Sequence, residues 1–474
     1  MMRSSNLTKK SLLALGAVFA AGSALTQSAF AQTPPPAEQT GLPGDPATSP
    51  AQKPSIAPAN FGEWASSIKL SFQGNAGIVI NTSDPQNHRN FGRLFTDNSN
   101  RPTLNQLLFG VQRDVAPQAT SIDVGFKLQL AYGSDSRVTH TLGVFDQLIH
   151  DRNQIDVAEA TISVRFPSLF ARGLDIKAGI YPTPLGVEMI DPKTNAFYSH
   201  SYIFSYGSPY KHTGVLATAH VSDLLDIYGG IDSGTNTFIG YGSGDNNNRP
   251  AGIAGFGLKL AEGRVVILAL THIGPEDSKR NTSFANTALR YYNDASLVWK
   301  ITTALTLTTE INYVREEGFR AEAYGITQYA AYTLSDTVTL NGRVEIFRDS
   351  KNFFVSNPQG NLDYANAQRG TSTVNLITAP RPTTYGGLTA GVTYKPPGMP
   401  AQLSTFLVRP ELRYDQTLNN SRPFNGGRDR GAFTLATDFV IGFWPTHQRQ
   451  HRPGNNSGQV FGLASVEIPA RMLF

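Results

Sequence analysis

One segment of the chain, residues 182–210, concentrates ionisable side chains that could act on a passing ion. Opposite charges that face each other across a narrow aqueous passage create a transverse field, and rings of charge of this kind set ion selectivity. We therefore hypothesise that Glu188 and Asp191 form the acidic rim of a pore constriction. The basic residues predicted to face this rim are Arg165, Lys177 and Arg343. The alternative is that the segment lies outside the fold and only covers it.

Further charged residues recur at alternate positions of candidate strands, which places them on one face of each strand. The basic members of this set are Lys69, Lys127, Arg165, Lys177, Arg290, Arg343, Arg409 and Arg413. The acidic members are Asp123, Glu159, Asp175, Asp294, Glu310, Glu345, Glu411 and Asp438. Because the two signs are balanced, this face predicts no attraction for one sign of ion. Many of these residues are expected to pair across strands and to stabilise the sheet.

The sequence contains no motif that predicts catalysis. A Gly-x-Ser-x-Gly elbow, a phosphate-binding loop and a His-Glu-x-x-His motif do not occur. Ser199 and His200 are adjacent, but nothing in the sequence supports activation of the hydroxyl. His447 and His451 lie four residues apart without a third ligand, which favours solvated side chains over a metal site. No catalytic residue, cofactor or metal is therefore predicted.

Alternating apolar and polar residues, which would position these charges, run through the chain from Ala65 onward. In the first candidate strand Leu70 and Phe72 share one face and Ser71 and Gln73 the other. No apolar run after residue 31 approaches the roughly 18 residues of a transmembrane helix. Closed strands are then the remaining way to span a membrane, because lipid cannot satisfy an open sheet edge. In such a barrel the apolar face contacts lipid and the polar face lines the lumen.

The connections between the candidate strands alternate in length. Short ones follow the even-numbered strands, as at Glu262-Gly263, and long ones follow the odd-numbered strands, as at 182–210. Only the connection near Glu317 breaks this rule. Short periplasmic turns and long extracellular loops are typical of outer-membrane barrels. We predict an all-β, antiparallel, up-and-down transmembrane barrel of about 16 strands in the bacterial outer membrane, in contact with its lipid.

The two ends of the chain differ from this pattern. Residues 1–31 combine a basic start, a short apolar stretch and an Ala29-Phe30-Ala31 cleavage site, which predicts a cleaved signal peptide. Residues 32–60 are rich in proline and are interpreted as a disordered periplasmic linker. The barrel is predicted over residues 61–443, and residues 444–474 form a C-terminal extension. Phe443 ends the last strand with an aromatic residue, which is the type of terminus that the barrel-insertion machinery binds. The alternative is that the final segment, which ends at Phe474, is the insertion signal.

Charge and cysteine content exclude some alternatives. Three of the 40 basic residues lie in residues 1–31, which leaves 37 basic against 36 acidic residues. A balanced chain has no basic footprint for a nucleic acid, so no such partner is predicted. The chain has no cysteine, so disulfides cannot stabilise it.

Residues 174–215 carry a group of motifs that resembles the OmpL-like family of β-barrel porins. A Gly-x-x-x-Thr-Pro-x-Gly turn spans residues 179–186, an Asp-Pro-x-x-Asn-x-Phe-Tyr-Ser segment spans 191–199, and His-Thr-Gly spans 212–214. The strand pattern is similar over about residues 61–443. The resemblance implies an outer-membrane channel for small hydrophilic solutes or ions. By analogy with general porins, it also implies that residues 182–210, the third outer loop, fold into the lumen, and that the chain forms a homotrimer.

Two other functions remain open at this point. An outer-membrane barrel can serve as an adhesin or as a lipid hydrolase, the second of which needs a serine and a histidine close together at the rim. The other possibility is an exported soluble β-sandwich, in which a second sheet must bury the apolar face. The alternation of short turns and long loops argues against the sandwich.

Overall fold

The computed structural model describes residues 61–148, 152–240, 247–277, 283–356, 381–400 and 403–443. The predicted signal peptide (1–31), proline-rich linker (32–60) and C-terminal extension (444–474) lie outside these ranges. The strands are β1 (Lys69–Asn81), β2 (Pro102–Arg113), β3 (Asp123–Gly133), β4 (Gln154–Phe166), β5 (Leu174–Pro182), β6 (Lys211–His220), β7 (Leu225–Asp232), β8 (Ala251–Leu260), β9 (Val265–Gly274), β10 (Arg290–Lys300), β11 (Leu305–Glu316), β12 (Ala321–Ser335), β13 (Val338–Asp349), β14 (Thr383–Tyr394), β15 (Leu403–Thr417) and β16 (Gly431–Phe443).

These strands form one closed antiparallel barrel in which every strand pairs with its neighbours in sequence. The first and last strands close it, with Phe72 opposite Phe443 and Asn81 opposite Thr434. Closure removes the open edges that lipid could not satisfy. The prediction of an up-and-down barrel of about 16 strands is therefore confirmed.

The connections also follow the predicted rhythm. The links after the even-numbered strands are short, as at 261–264 and 336–337, and most links after the odd-numbered strands are long, as at 183–210 and 350–382. The link 317–320 is the short exception that the sequence indicated. The short turns lie on the periplasmic side and the long loops on the extracellular side.

The alternating side chains separate onto the two faces of the barrel wall. On β13, Val344 and Ile346 are exposed on the outer face, whereas Arg343 and Glu345 are buried on the inner face. The period of two in the sequence requires this separation, because successive side chains of a strand point to opposite sides. The outer surface is accordingly apolar and the interior is charged.

A β-bulge changes this parity in β4. The register shifts between Gln129 and Leu130 of β3, where Ala158 of β4 has no partner residue. Because of this extra residue, the side chains of β4 before the bulge point to the face opposite to the one that strict alternation predicts. As a result Asp156 and Glu159, which lie three residues apart, both face the interior and are both buried.

The helical segments of the described residues are short; Phe61–Ser66 precedes β1 and the others belong to the loops. They are the α-helices Phe61–Ser66, Ser136–Thr139, Phe353–Ser356 and Phe424–Gly427, the 3-10 helices Asp146–Leu148 and Pro192–Thr194, and the π-helix Ile203–Gly207. None of the helices in the described ranges is long and apolar enough to cross a bilayer.

Gly179 of β5 provides a test of the strand packing at the start of the Gly-x-x-x-Thr-Pro-x-Gly turn. Its φ is +127°, and a Cβ added there would lie 2.1 Å from the carbonyl oxygen of Ala160 on β4. We expect Gly179→Ala to lower the free energy of unfolding by more than about 1 kcal/mol, because both the backbone conformation and the close approach favour glycine. Urea titration of the folded form, resolved on a gel without heating, measures this. Gly229→Ala is the matched control, since no atom lies within 4 Å of an added Cβ; equal midpoints for the two variants contradict the prediction.

Candidate functional site

The segment that carries Glu188 and Asp191 lies inside the barrel. It leaves β5 after Pro182 and joins β6 at Lys211. Between these strands, its atoms bond to inward-facing side chains of β13 and β15. These two strands lie across the barrel from β5 and β6. We call residues 183–210 the inner loop.

Glu188 is the most extensively bonded acid of the inner loop. Its carboxylate accepts from Arg343 Nη1 at 2.8 Å and from the hydroxyl of Tyr329 at 3.0 Å. His200 Nδ1 lies 2.7 Å from the second carboxylate oxygen, and the Ser201 N–H donates at 3.1 Å. The side chain is buried. Glu188 and Arg343 therefore form a charge pair that joins the loop to β13.

Arg343 bonds to the inner loop and to one wall hydroxyl, and its Nε lies 3.5 Å from the Glu345 carboxylate. Beyond Glu188, its guanidinium donates to the carbonyl oxygen of Ser199 at 2.7 Å, to the Ser199 hydroxyl at 2.9 Å and to Thr389 Oγ1 at 3.2 Å. The guanidinium carbon lies 5.0 Å from the centre of the Phe197 ring. The side chain is fully buried. Charge-assisted bonds in a buried place are among the strong ones in proteins, so this residue is the main anchor of the loop.

Other wall residues bind the backbone of the same loop. The carboxylates accept from backbone N–H groups: Glu310 from Val187 at 3.0 Å, Glu345 from Tyr202 at 2.6 Å, and Glu411 from Tyr198 at 2.9 Å. The arginines donate to carbonyl oxygens: Arg409 to Pro192 at 2.7 Å and to Asn195 at 2.6 Å, and Arg413 to His200 at 2.6 Å. All five residues were predicted to face the interior, and all five contact the inner loop.

Aromatic side chains pack where the loop bends back toward the extracellular end. Tyr202 lies at the start of the π-helix and stacks on Tyr385 of β14 at 5.3 Å between ring centres. Its ring is also stacked on Phe347 of β13 at 6.2 Å. Phe204 stacks on His200 at 4.3 Å. Burial of these rings stabilises the loop conformation in addition to its ion pairs.

The wall of β3, β4 and β5 carries partly exposed cations. Lys127 Nζ lies 3.0 Å and Lys177 Nζ 3.5 Å from the carboxylate of Glu159, and the two lysines keep 20% and 33% of their side-chain surface exposed. Asp191, on the loop, accepts from Gln73 Nε2 at 2.8 Å. Burial alone would raise the pKa of Asp191, but Lys193, Gln73 and Lys127 outweigh it and lower that pKa. Asp191 is therefore ionised at neutral pH beside a basic wall.

Two of the predicted cations lie away from the inner loop. Arg165 precedes the last residue of β4 and bonds to Asp175 at 2.8 Å and to the carbonyl oxygen of Arg172, at the periplasmic end. Arg290 begins β10 at the extracellular end and bonds to Glu316 at 2.6 Å. A strand rises about 3.3 Å per residue, so their positions at strand ends place them far from a loop at mid-height.

Sequence reasoning missed several buried ion pairs, one of which joins two loops and another two strands. Arg137 in the loop 134–153 bonds to Asp97 in the loop 82–101 at 2.7 Å. Lys211 bonds to Asp156 at 2.6 Å. Asp156 could have been identified only if the bulge in β4 had been recognised. Without the bulge, strict alternation places Asp156 and Glu159 on opposite faces of the strand.

Ser199 and His200 do not form a nucleophile and its base. The Ser199 hydroxyl accepts from Arg343 at 2.9 Å, and His200 Nδ1 pairs with Glu188. A guanidinium is permanently protonated and cannot take a proton from serine. These two residues therefore hold the loop in place.

The Glu188 carboxylate gives the loop an acid-dependent contribution to stability. Burial alone would raise the pKa of Glu188, but Arg343 and His200 outweigh it and lower that pKa to about 2. Because the folded pKa lies below the unfolded one, the contribution is complete above about 4.5 and is lost as pH falls through about 2. We expect the difference in urea midpoint between the wild type and Glu188→Gln to be present at pH 5 and to shrink below about pH 4. A difference that is already lost at pH 6 contradicts this.

Comparison with known proteins gives a family and a fold. Residues 67–443 match the family model described as "Putative beta-barrel porin-2, OmpL-like". No curated protein matches the chain. Among solved structures, Salmonella typhi OmpF in complex with daunomycin superposes with a TM-score of 0.50 at 10% identity, over 80% of this chain and 99% of that one. The high-pH structure of Pseudomonas putida OprB gives 0.49 at 12% identity, over 80% and 95%. The outer membrane channel DcaP of Acinetobacter baumannii gives 0.46 at 13%, over 79% and 96%. At these identities the likeness concerns the fold alone.

Proposed function

This chain belongs to the OmpL-like family of β-barrel porins, and we propose that it lets small hydrophilic solutes and ions cross the bacterial outer membrane passively. The observation that carries this is the separation of the barrel wall into an apolar outer face and a charged inner face. Water and ions are stabilised by such an interior, while the outer face is stabilised by lipid. The chain is a porin of the outer membrane.

We place the passage between the inner loop and the wall of β3, β4 and β5. The loop is bonded to β13 and β15, where the inward-facing arginines are buried beneath it. Lys127 and Lys177 keep part of their surface exposed on the other side. Ions therefore pass between Asp191 on the loop and these two lysines, and the field across this gap sets the selectivity.

This assignment differs from the sequence hypothesis in the role of each charge. Glu188 and Arg343 act as the anchor that holds the loop, since both are buried and bonded to each other. Asp191 and Lys177 remain as the charges that meet the solute, and Lys127 joins them.

The proposed function is tested by recording single channels of the chain from Gln32 onward, refolded and inserted into a planar bilayer. We expect discrete, long-lived open steps, and a reversal potential in a salt gradient then gives the ion selectivity. A barrel that is folded by gel shift but never conducts overturns the channel function.

A homotrimer is part of this proposal. The outer face of β8 to β11 has a cavity of about 400 Å³ lined by small residues such as Ala254 and Ala269. The Thr271 hydroxyl bonds to Asn293 at 2.9 Å on the same face. Polar groups that face lipid cost free energy. We therefore propose that a second copy of the chain packs against this surface. The mass of the detergent-solubilised protein by light scattering checks this, and a monomeric mass rejects the trimer without affecting the channel.

A further inference from the structure

A group of histidine and carboxylate side chains lies outside the inner loop and takes no part in the passage. His212 is the second residue of β6, Asp232 the last of β7, and His272 lies near the end of β9. The antiparallel order brings these positions to the same extracellular end of the barrel. One potential ligand atom from each of the three lies within 4.8 Å of the others.

Two of the distances within this group are close to those between ligands of a metal centre. Asp232 Oδ2 lies 3.4 Å from His212 Nδ1, and Asp232 Oδ1 lies 3.0 Å from His272 Nε2. In a tetrahedral zinc site with bonds of about 2.05 Å, the ligand atoms are about 3.3 Å apart. The observed separations lie on either side of this value.

The polar atoms of this group are buried and only partly satisfied: Asp232 Oδ1 is bonded to His272 Nε2 at 3.0 Å and to the Gly234 N–H at 2.8 Å, and three other atoms are not bonded. The three side chains have no exposed surface. His212 Nδ1, Asp232 Oδ2 and His272 Nδ1 have no hydrogen-bond partner. A buried polar atom without a partner costs about 1–3 kcal/mol, so three in one place favour the binding of a ligand that bonds to them. A cation coordinated by Asp232 Oδ2 and His212 Nδ1 would satisfy two of them.

One of the two imidazoles is oriented by a hydrogen bond from its other nitrogen, as outer partners orient histidine ligands in metal sites. His212 Nε2 lies 3.0 Å from the Thr183 hydroxyl, and this bond leaves Nδ1 facing Asp232. His272 Nδ1 has the Glu276 carboxylate at 3.8 Å, which is beyond hydrogen-bond distance. Thr183 is the first residue of the inner loop, so the group also contacts the root of that loop.

We propose that His212, Asp232 and His272 form a binding site for a divalent first-row transition ion, with Zn²⁺ as its best fit. Two imidazoles and one carboxylate are ligands that zinc accepts, whereas Mg²⁺ and Ca²⁺ prefer oxygen atoms alone. The ion joins β6, β7 and β9 at the extracellular end and stabilises the residue from which the inner loop departs. The role is structural, because the site is closed to solvent.

The site is tested on the tag-free chain, refolded in metal-free buffer with and without ZnCl₂ and then passed through a chelating column. We expect about one zinc per folded chain by elemental analysis, and a higher temperature for loss of the folded gel band when zinc is present. The double variant His212→Asn/His272→Gln should lower zinc affinity at least roughly 100-fold, because it removes two ligands.

His220→Gln is the matched control. His220 ends the same strand and also contacts two carboxylates, Asp226 at 2.7 Å and Asp175 at 3.1 Å, without a second histidine. The His220→Gln variant should bind zinc as the wild type does. Equal zinc content in the wild type and the folded double variant overturns the proposal. If the double variant does not fold, Co²⁺ replaces zinc in the wild type, and a spectrum without the visible bands of tetrahedral Co²⁺ overturns it equally.

Discussion

Arg343→Met lowers the free energy of unfolding by about 3–5 kcal/mol and releases the inner loop from β13. Methionine has a similar length but cannot donate, so the buried Glu188 loses its arginine and keeps only Tyr329, His200 and Ser201, and the Ser199 carbonyl loses its donor. Removing one member of a buried ion pair costs this much because the remaining charge is left uncompensated. The change is measured as a lower urea midpoint of the folded band in detergent, and as larger and noisier single-channel steps, since a detached loop obstructs the passage less.

Arg348→Met is the matched control for this prediction. Arg348 lies on the same strand, faces outward and donates to Thr384 at 2.9 Å. Its loss should cost less than about 1 kcal/mol, as is usual for partly exposed pairs. Adding Glu188→Gln to Arg343→Met should recover part of the loss, because no charge is then left alone. If Arg343→Met and Arg348→Met have equal urea midpoints, the loop is held by other contacts.

The barrel itself could be predicted from the sequence because its rules are local. A period of two fixes which side chains face lipid, and the alternation of short and long connections fixes which end is which. Val344 and Arg343 occupy opposite faces for this reason alone. No knowledge of distant contacts is needed to reach this level.

The partners of the inner loop could not be predicted in the same way. Glu188 meets Arg343 from the opposite side of the barrel, 155 residues along the chain, and no sequence period relates the two. The alternation of faces indicated that Arg343 and Arg165 both point inward, but it did not indicate their positions along the barrel axis. Arg343 lies beside the inner loop and anchors it, whereas Arg165 lies at the periplasmic end and forms an ion pair there. The bulge in β4 likewise alters parity without a sequence marker, so Asp156 was not expected inside.

In the proposed passage, the charges beside it are Lys127 and Lys177 on the wall, and on the loop Asp191 with its ion-pair partner Lys193 at 3.2 Å. A unit charge about 8 Å from an ion in water contributes about 0.5 kcal/mol, and physiological salt reduces this by a factor of about three. Replacing both lysines with glutamates changes the charge of the wall by four units. This stabilises a cation in the passage by about 0.7 kcal/mol and destabilises an anion by about the same amount. The sum, about 1.4 kcal/mol, corresponds to a tenfold change in their permeability ratio.

Lys127→Glu/Lys177→Glu should therefore shift the ratio of K⁺ to Cl⁻ permeability about tenfold toward K⁺. The measurement is the reversal potential of single channels in a KCl gradient. Lys69→Glu is the matched control, because Lys69 begins β1 and pairs with Asp114 in an exposed position. Asp191→Asn should shift the ratio the other way, toward Cl⁻, since it removes the anionic charge opposite the lysines. If the double reversal and Lys69→Glu have equal reversal potentials, ions do not pass between the inner loop and β3 to β5, and the passage must be sought along another part of the wall.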